Sequence, residues 1–424
     1  MEKLTPYQRR LFVFLGVATF FEGYDFLALT QILPNLRAEM DLAPSHGGYL
    51  VAAINFGTMV AYLLVRKADQ WGRRRLLMLT ISGYTIFTFL TGLSPNVVAF
   101  AACQLLARIF LIAEWATSVV YAAEEFPAER RGMVIGVIQA TSSLGSIVCA
   151  GVVPLLLATD YGWRAVYFVG ITPLIILAFA RRNIKESHRF AEQVAERRSA
   201  ARHSDFFRIF SSPYRGRMLQ LALIWALSYV CIQNGITFWK EFAVAERGMS
   251  DADVASLVTY AAVGAMPFVF FAGKMLDVLG RKGGGAIIFL ITSFGVYAAY
   301  TFETPAALTF ALAMGIFGSS AILPVLNAYT AELFPTDLRG DAFAWSNNIL
   351  GRTTYVLSPL AIGWAAESVG WGVAVSATAV FPLVALGYLL LKLPETRGLE
   401  LEETAKLHGA EAAITAPASA AAGA

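Results

Sequence analysis

The chain has 424 residues, of which 57% are hydrophobic and only 15% are charged, and its mean hydropathy is +0.59. Soluble globular proteins carry about 25% charged residues, so this composition excludes an ordinary soluble domain and indicates a membrane protein. The net charge of +3 is explained by basic residues in the loops on one side of a membrane. We therefore expect no nucleic-acid partner.

Twelve apolar stretches follow one another along the chain. A bilayer core about 30 Å thick needs about 20 mostly apolar residues in a helix, because unpaired backbone groups are unfavourable in hydrocarbon. The predicted spans are 11–33, 48–66, 76–94, 96–122, 132–158, 164–181, 217–240, 253–276, 284–302, 305–331, 341–367 and 371–391. The sequence predicts an all-α membrane protein with twelve transmembrane helices.

Lysine and arginine are distributed unevenly between the loops. With the N-terminus in the cytoplasm, most of the 33 basic residues fall in cytoplasmic segments. The basic residues at or near the outer side are Arg37, Arg164, Lys240 and Arg247. By the positive-inside rule, this asymmetry predicts a multi-pass protein of the plasma (inner) membrane with both termini cytoplasmic.

No pattern typical of an enzyme or a metal site occurs in the sequence. Cys103, Cys149 and Cys231 are odd in number and lie in apolar runs, which is typical of small core residues. The four histidines fall outside the predicted spans, and we find no paired-His metal motif, nucleophile elbow or phosphate loop. We predict no enzymatic activity, no metal and no cofactor.

Two short patterns occur twice at the same spacing. Asp69, Gly72 and Arg73 recur as Asp277, Gly280 and Arg281, and Glu124, Phe126, Pro127, Arg131 and Gly132 recur as Glu332, Phe334, Pro335, Arg339 and Gly340. Every pair is separated by 208 residues, which is 277 minus 69 for the first pair. One offset shared by two unrelated patterns indicates a duplication into two parallel six-helix halves.

This duplication divides the chain into four regions. We predict an N-terminal six-helix half over 1–181, a cytoplasmic linker over 182–216, a C-terminal six-helix half over 217–400 and a cytoplasmic tail over 401–424. The linker is too charged to span a membrane, and the low-complexity end of the tail is predicted to be disordered.

The repeated loops resemble the signature of the major facilitator superfamily of transporters, and the resemblance extends through residue 400. They read VRKADQWGRRR at 65–75, where Val65 and Gln70 depart from the family pattern, and GKMLDVLGRKG at 273–283. The resemblance implies the major facilitator fold, with two pseudo-symmetric six-helix bundles, and loops that act in gating. The implied gating residues are Asp69, Gly72, Arg73, Arg74, Asp277, Gly280, Arg281, Lys282, Glu124, Arg131, Glu332 and Arg339.

Further stretches are similar to particular branches of that superfamily. PETRG at 394–398 and ESHRF at 186–190 resemble the sugar-porter branch. EGYDFLALTQILP at 22–34 and RIFLIAEW at 108–115 resemble proton symporters of organic acids and metabolites. The resemblance implies a proton-coupled symporter.

Ionisable side chains lie in the middle of several predicted spans. Such groups cost roughly 2.5–3.5 kcal/mol each on insertion scales, so they tend to face a cavity and to be functional. Glu22 and Arg108 each lie about 16–18 Å from a span end, at mid-depth, and Asp25 shares a helix face with Glu22. Our hypothesis is that Asp25 and Glu22 bind the coupling proton while Arg108 tunes their pKa, with Glu114 deeper in the same span as Arg108. The alternative is a static buried ion pair that only fixes helix packing.

The substrate is expected to contact the other half of the protein. Arg352 reaches the same depth and can bind a substrate carboxylate through two parallel hydrogen bonds. The 208-residue offset maps Asp25 to Gln233, so the C-terminal half offers neutral groups at the equivalent level. The further candidates for substrate binding are Gln233, Asn234, Trp239 and Asn327. For each of these residues, simple helix packing is the alternative.

Together these features predict a secondary active transporter that works by alternating access. The favoured function is proton-coupled symport of a small organic anion or related metabolite by a functional monomer, with the proton and the lipid bilayer as further partners. A sugar or polyol porter and an exporter of small molecules are alternatives. A non-transporting nutrient sensor is an alternative of another class.

Overall fold

The computed structural model describes residues 4–65, 71–126, 128–172 and 207–397, and every regular element in these ranges is a helix. The linker residues 182–206, the tail from 398 onwards and Asp69 lie outside the described residues. The predicted division into four regions therefore stays a prediction. We use the term N-terminal half for residues 4–172 and the term C-terminal half for residues 207–397.

Six helices form the described N-terminal half. They are α1 (Pro6–Glu39), α2 (Pro44–Val65), α3 (Arg73–Gly92), α4 (Val97–Glu125), α5 (Ala128–Leu157) and α6 (Trp163–Phe168), which a 3₁₀ turn extends over Val169–Ile171. Helix α1 begins earlier than the predicted span because Thr5 and Gln8 form a capping box, in which each side chain accepts the other's backbone N–H at 3.1 Å.

The C-terminal half follows with longer, bent helices. They are α7 (Arg215–Thr237), α8 (Trp239–Ala245), α9 (Asp251–Thr301), α10 (Pro305–Glu332), α11 (Thr336–Phe343), the π-helical segment Ala344–Gly351, α12 (Arg352–Ser376) and α13 (Val380–Lys392). Gly280 within α9 and Gly370 within α12 have φ values of +82° and +80°. A glycine is needed at such positions because other residues are strained there. The bend at Gly280 separates the eighth predicted span from the ninth. The bend at Gly370 separates the eleventh predicted span from the twelfth.

The described helices fit the predicted spans. Nine helical segments in the described ranges are long and apolar enough to cross a membrane, and the segment Arg339–Lys392, with 54 residues, covers two predicted spans. Helix α3 corresponds to the third span, although its basic start lowers its hydropathy. The sixth span is described only through residue 172.

Glycines bring pairs of helices into close contact. A side chain at Gly23 of α1 would overlap the carbonyl oxygen of Ser142 in α5, and one at Gly145 of α5 would overlap the carbonyl oxygen of Phe20. These paired crossings hold α1 and α5 backbone to backbone, as small residues do in membrane helix packing.

The two halves meet at one end of the bundle. A large apolar cluster contains residues of both halves, among them Val51, Phe238 and Trp371, whereas two other clusters each lie within a single half. At the same end Gly48 of α2 lies against Pro359 and Gly363 of α12, where a side chain at position 48 would collide with the backbone. We call the end formed by residues 31–51, 238–251 and 359–372 the closed end.

Candidate functional site

A cavity lies between the two halves, next to the closed end. It contains about 350 Å³ of space that protein atoms do not occupy, part of which is open to solvent. Its walls are Phe26, Leu29, Thr30, Val51, Asn55, Arg108, Gln233, Ile236, Thr237 and Tyr355. Both halves contribute, so a molecule bound here would touch the two bodies at once.

Arg108 is the cation in the wall of this cavity. Arg108 is 5% exposed, and its Nη1 atom is buried without a hydrogen-bond partner. Its guanidinium carbon lies 5.0 Å from the ring centre of Phe26. Among the described residues, no carboxylate oxygen lies within 4 Å of its nitrogens. A buried guanidinium without a paired anion favours binding of a negatively charged group.

Asp25 and Glu22 are both buried on α1, and neither lines the cavity. Thr88 donates a hydrogen bond to Oδ2 of Asp25 at 3.3 Å, while Oδ1 of Asp25 is buried without a partner. Ser142 donates to Oε2 of Glu22 at 2.6 Å. A static ion pair, the alternative left open by the sequence, is not formed between Arg108 and either carboxylate in this conformation.

Glu114 lies six residues, or about 1.7 helical turns, beyond Arg108 on α4. Glu114 is fully buried. The Ser118 hydroxyl donates a hydrogen bond to its Oε1 at 2.5 Å, and its Oε2 has no hydrogen-bond partner. Glu114 is therefore a third hydroxyl-bound carboxyl group, and it does not line the cavity.

Arg352 lies beside the cavity rather than in its wall. Its guanidinium carbon is 5.5 Å from the ring centre of Tyr355 and 5.9 Å from that of Tyr229. Arg352 is half-buried, and its Nε atom is buried without a hydrogen-bond partner. The π-helical segment ends directly before Arg352, and such segments are frequent at functional sites.

Of the four other residues predicted to bind substrate, one lines the cavity and three do not. Gln233 lines the cavity and donates to Thr237 at 3.0 Å. Asn234 is fully buried and donates to Ser358 at 2.8 Å. Trp239 is packed in the core, where its indole donates to the carbonyl of Ala299. Asn327 is exposed on α10 and does not line the cavity.

Several wall residues were missed by the sequence analysis. Asn55 and Tyr355 face each other across the two halves, with the amide of Asn55 donating to the carbonyl of Tyr355 at 3.3 Å. Asn55 is a polar amide within an apolar span and could have been noticed for that reason. Thr30, Thr237 and Phe26 carry no such signal, because threonine and phenylalanine are common in membrane helices.

The second repeated loop forms a connected network at the end of the bundle opposite the closed end. Arg281 binds Asp277 at 3.0 Å and Glu332 at 2.8 Å. The backbone N–H groups of Arg281 and Lys282 donate to the two oxygens of Glu395, both at 2.8 Å. Burial raises the pKa of Glu395, but its backbone donors outweigh this effect, so the pKa lies below the ordinary value of 4.5.

The remaining predicted gating residues are described only in part. Gly72 has a φ of +92°, as Gly280 does in the second half, and Arg339 donates to the carbonyl of Phe334 at 3.4 Å. Arg74 and Glu124 are half-buried. The side chains of Arg73 and Arg131 lie outside the described residues.

Charged residues also join the halves at the closed end, which the sequence analysis did not foresee. Arg37 of α1 binds Glu241 of α8 at 2.5 Å, and their side chains are 15% and 2% exposed. Lys240 binds Asp251 at 2.5 Å and also donates to the carbonyl oxygen of Gln31 in the other half. The closed end is thus held by buried polar contacts as well as by apolar packing.

Two sets of helices that are long and apolar enough to cross a membrane, with a cavity at their interface, form an architecture typical of membrane transporters. The sequence profile of the Major Facilitator Superfamily matches residues 15–250 and again residues 241–421. The chain belongs to this family, which confirms the fold predicted from the repeated loops. The family and its named relatives are transporters, so the prediction that the chain is not an enzyme is also confirmed.

Individual transporters show the same similarity over nearly the whole chain. The chain is 24% identical to the sialic acid transporter NanX of Escherichia coli (strain K12), covering 88% of this chain and 91% of that protein. It is 25% identical to the cis,cis-muconate transport protein of Acinetobacter baylyi, covering 90% and 94%. The inward-open structure of the xylose transporter XylE from E. coli superposes with a TM-score of 0.71 at 18% identity, covering 93% and 98%.

Proposed function

We propose that this transporter is a proton-coupled symporter of a small organic anion. The observation that carries the proposal is Arg108, a buried cation without a paired carboxylate, among the described residues, in the wall of a cavity shared by both halves. An anionic substrate would supply the missing partner. NanX and the muconate transport protein are named for acids, which supports the same substrate class.

Asp25 and Glu22 are the proposed proton sites. Each is buried and held by one hydroxyl donor, and Asp25 keeps an oxygen without a partner, on which a proton can be carried. When Asp25 is charged it attracts the Arg108 guanidinium, and when it is protonated it leaves the guanidinium to the substrate. Proton binding and anion binding would in this way favour each other.

Alternating access completes the proposal. The closed end would open while the opposite end closes, by rocking of the two halves about the cavity. The distribution of basic residues supports a closed end on the outside of the plasma (inner) membrane, with both termini in the cytoplasm. The protein would act as a monomer, because the cavity is built within a single chain.

A sugar or polyol is the second candidate substrate. The cavity wall contains two amides, Asn55 and Gln233, and three hydroxyls, those of Thr30, Thr237 and Tyr355, which suit hydrogen bonds to several hydroxyl groups. The PETRG stretch supports the same alternative. Binding of xylose but not of carboxylates to the purified protein would favour this candidate over an anion.

The proton role is tested with Asp25→Asn in proteoliposomes. An imposed pH gradient should no longer drive accumulation of a carboxylate probe, while exchange of labelled for unlabelled probe persists, because exchange requires no net proton movement. Glu39→Gln is the matched control, since Glu39 lies on the same helix but is 46% exposed and paired with Arg164. Gradient-driven accumulation by Asp25→Asn at the wild-type level would show the proton role to be wrong.

A further inference from the structure

Two arginines, one from each half, approach the same tyrosine. Arg108 and Tyr355 both line the cavity, and Arg352 lies 5.5 Å from the Tyr355 ring. Both guanidinium groups are close enough to act electrostatically on the Tyr355 hydroxyl. The part of the cavity wall formed by the N-terminal half therefore contains one cation, and a second cation lies next to the part formed by the C-terminal half.

Neither arginine has an anionic partner among the described residues. Nη1 of Arg108 and Nε of Arg352 are buried without hydrogen-bond partners, and neither guanidinium lies within 4 Å of a described carboxylate. Buried cations without a paired anion are costly, and two like charges near one cavity repel each other. A dianion can balance both charges, whereas a monoanion balances only one of them.

The position of Arg352 is set by the helix that carries it. The π-helical segment Ala344–Gly351 widens the backbone just before this residue, and Asn347 within it accepts a hydrogen bond from Tyr229 at 2.6 Å. Tyr229 and Tyr355 then flank the guanidinium with their rings. Aromatic faces hold a cation in place without neutralising it, so its hydrogen-bond donors remain available to a ligand.

We propose that the substrate is a small dianion, such as a short dicarboxylate, with one carboxylate bound by Arg108 and the other by Arg352. This inference rests on the proposed function and narrows its substrate class. The enclosed part of the cavity is small, which favours a short carbon chain between the two groups. A ligand bound by Arg108 in the wall and by Arg352 beside it would connect the two halves.

The test measures binding to the purified full-length protein with pairs of probes of equal chain length. The dicarboxylates are succinate, adipate and cis,cis-muconate, and the monocarboxylates are butyrate, hexanoate and sorbate. We expect at least one dicarboxylate to bind about tenfold or more tightly than its monocarboxylate partner, since one charged hydrogen-bonding group is gained. Arg352→Gln should remove this preference while leaving monocarboxylate binding within about twofold, a change well under 1 kcal/mol.

Further variants separate a specific role from loss of folding. Arg352→Lys keeps the charge and should retain part of the preference, and Arg247→Gln, at the closed end, should leave it unchanged because Arg247 is bonded to the carbonyls of Thr301 and Phe302. Arg108→Gln should weaken both classes of probe. If Arg108→Gln does not fold, Arg108→Lys is measured in its place.

Three outcomes are distinguishable. Equal binding of monocarboxylates and dicarboxylates, with Arg352→Gln weakening both equally, overturns the dianion proposal and leaves the organic-anion function standing. A dicarboxylate preference that survives Arg352→Gln also overturns it. Failure of every carboxylate to bind, with xylose binding instead, overturns the organic-anion function together with the dianion proposal.

Discussion

Arg108 illustrates how much the position of a single residue in the sequence can reveal. A charged side chain in the middle of an apolar span can be recognised from the sequence, and this residue lies in the cavity wall. The same argument applied to neutral residues was less informative. Trp239 lies in the core and Asn327 lies away from the cavity wall, while Asn55 and Tyr355 line it.

Gly23 provides a test of packing at the scale of one residue. We expect Gly23→Ala to lower the stability of the purified protein by about 1–3 kcal/mol, because the added carbon overlaps the Ser142 carbonyl and forces α1 and α5 apart. The midpoint of thermal unfolding in detergent measures the effect. Gly136→Ala, on α5 with open space around it, is the control and should not be destabilised. Equal midpoints for the two variants would contradict the backbone contact between α1 and α5.

At the scale of elements, Glu395 connects the end of α13 to the bend in α9. Four backbone N–H groups, those of Arg281, Lys282, Thr396 and Arg397, donate to its carboxylate. A side chain at Gly280 would come within 2.8 Å of the same carboxylate. The PETRG stretch, which in the sequence only marked a branch of the family, thus holds the repeated loop in position.

We expect Glu395→Gln to lower stability by about 1.5–3 kcal/mol, because a charged acceptor of several backbone donors becomes a neutral one. Thermal unfolding measures the change. Since the pKa of Glu395 is lowered in the folded protein, its charge adds stability above the ordinary pKa of 4.5, and this contribution is lost as the pH falls through the folded value. The difference between wild type and variant should therefore shrink in acid. Glu303→Gln, at an exposed position, is the control.

Arg37 and Glu241 join α1 to α8 across the closed end. Removing one partner of a mostly buried ion pair costs about 3–5 kcal/mol, enough to shift an equilibrium between closed and open conformations. We expect Arg37→Gln to lengthen the distance between spin labels at positions 161 and 369, two exposed sites on opposite halves at this end. The labels are placed in a variant that lacks the native cysteines.

The charge-swapped double variant Arg37→Glu with Glu241→Arg should restore the short distance. Arg164→Gln is the matched control, because the Arg164–Glu39 pair lies at the same end but within one half. If Arg164→Gln opens this end as much as Arg37→Gln does, the contact between the halves is not what holds it closed.

At the scale of the whole molecule, the interface between the halves is closed at one end, and the sidedness of that end is a prediction of the basic residues. A single cysteine at Tyr161, which lies next to the closed end in the turn before α6, should react with a membrane-impermeant thiol reagent added to intact cells. A single cysteine at Asp277, at the opposite end, should react only after the cells are permeabilised. The reverse pattern would show the orientation to be wrong.

Local patterns account for most of the fold that could be predicted. The length and hydropathy of a span are set by the thickness of the bilayer, so the spans can be recognised in one sequence. The repeated loops are motifs of residues close together in the chain, so they can be recognised in the same way. The bends at Gly280 and Gly370 were predicted only as breaks between spans, and the continuation of α1 to Glu39 past Pro34 was not predicted. Helix ends are set by individual capping contacts that composition does not show.

The sequence alone determined that the chain is a duplicated bundle of membrane helices with charged groups at mid-depth, because these properties follow from the solvent and from helix geometry. Only the tertiary structure decided which of those groups share a cavity. It placed Arg108 and Tyr355 in the cavity wall with Arg352 next to the Tyr355 ring, and it paired Arg37 with Glu241, more than 200 positions away along the chain. Contacts between helices far apart in sequence depend on how their surfaces fit together, and a local pattern contains no information about that fit.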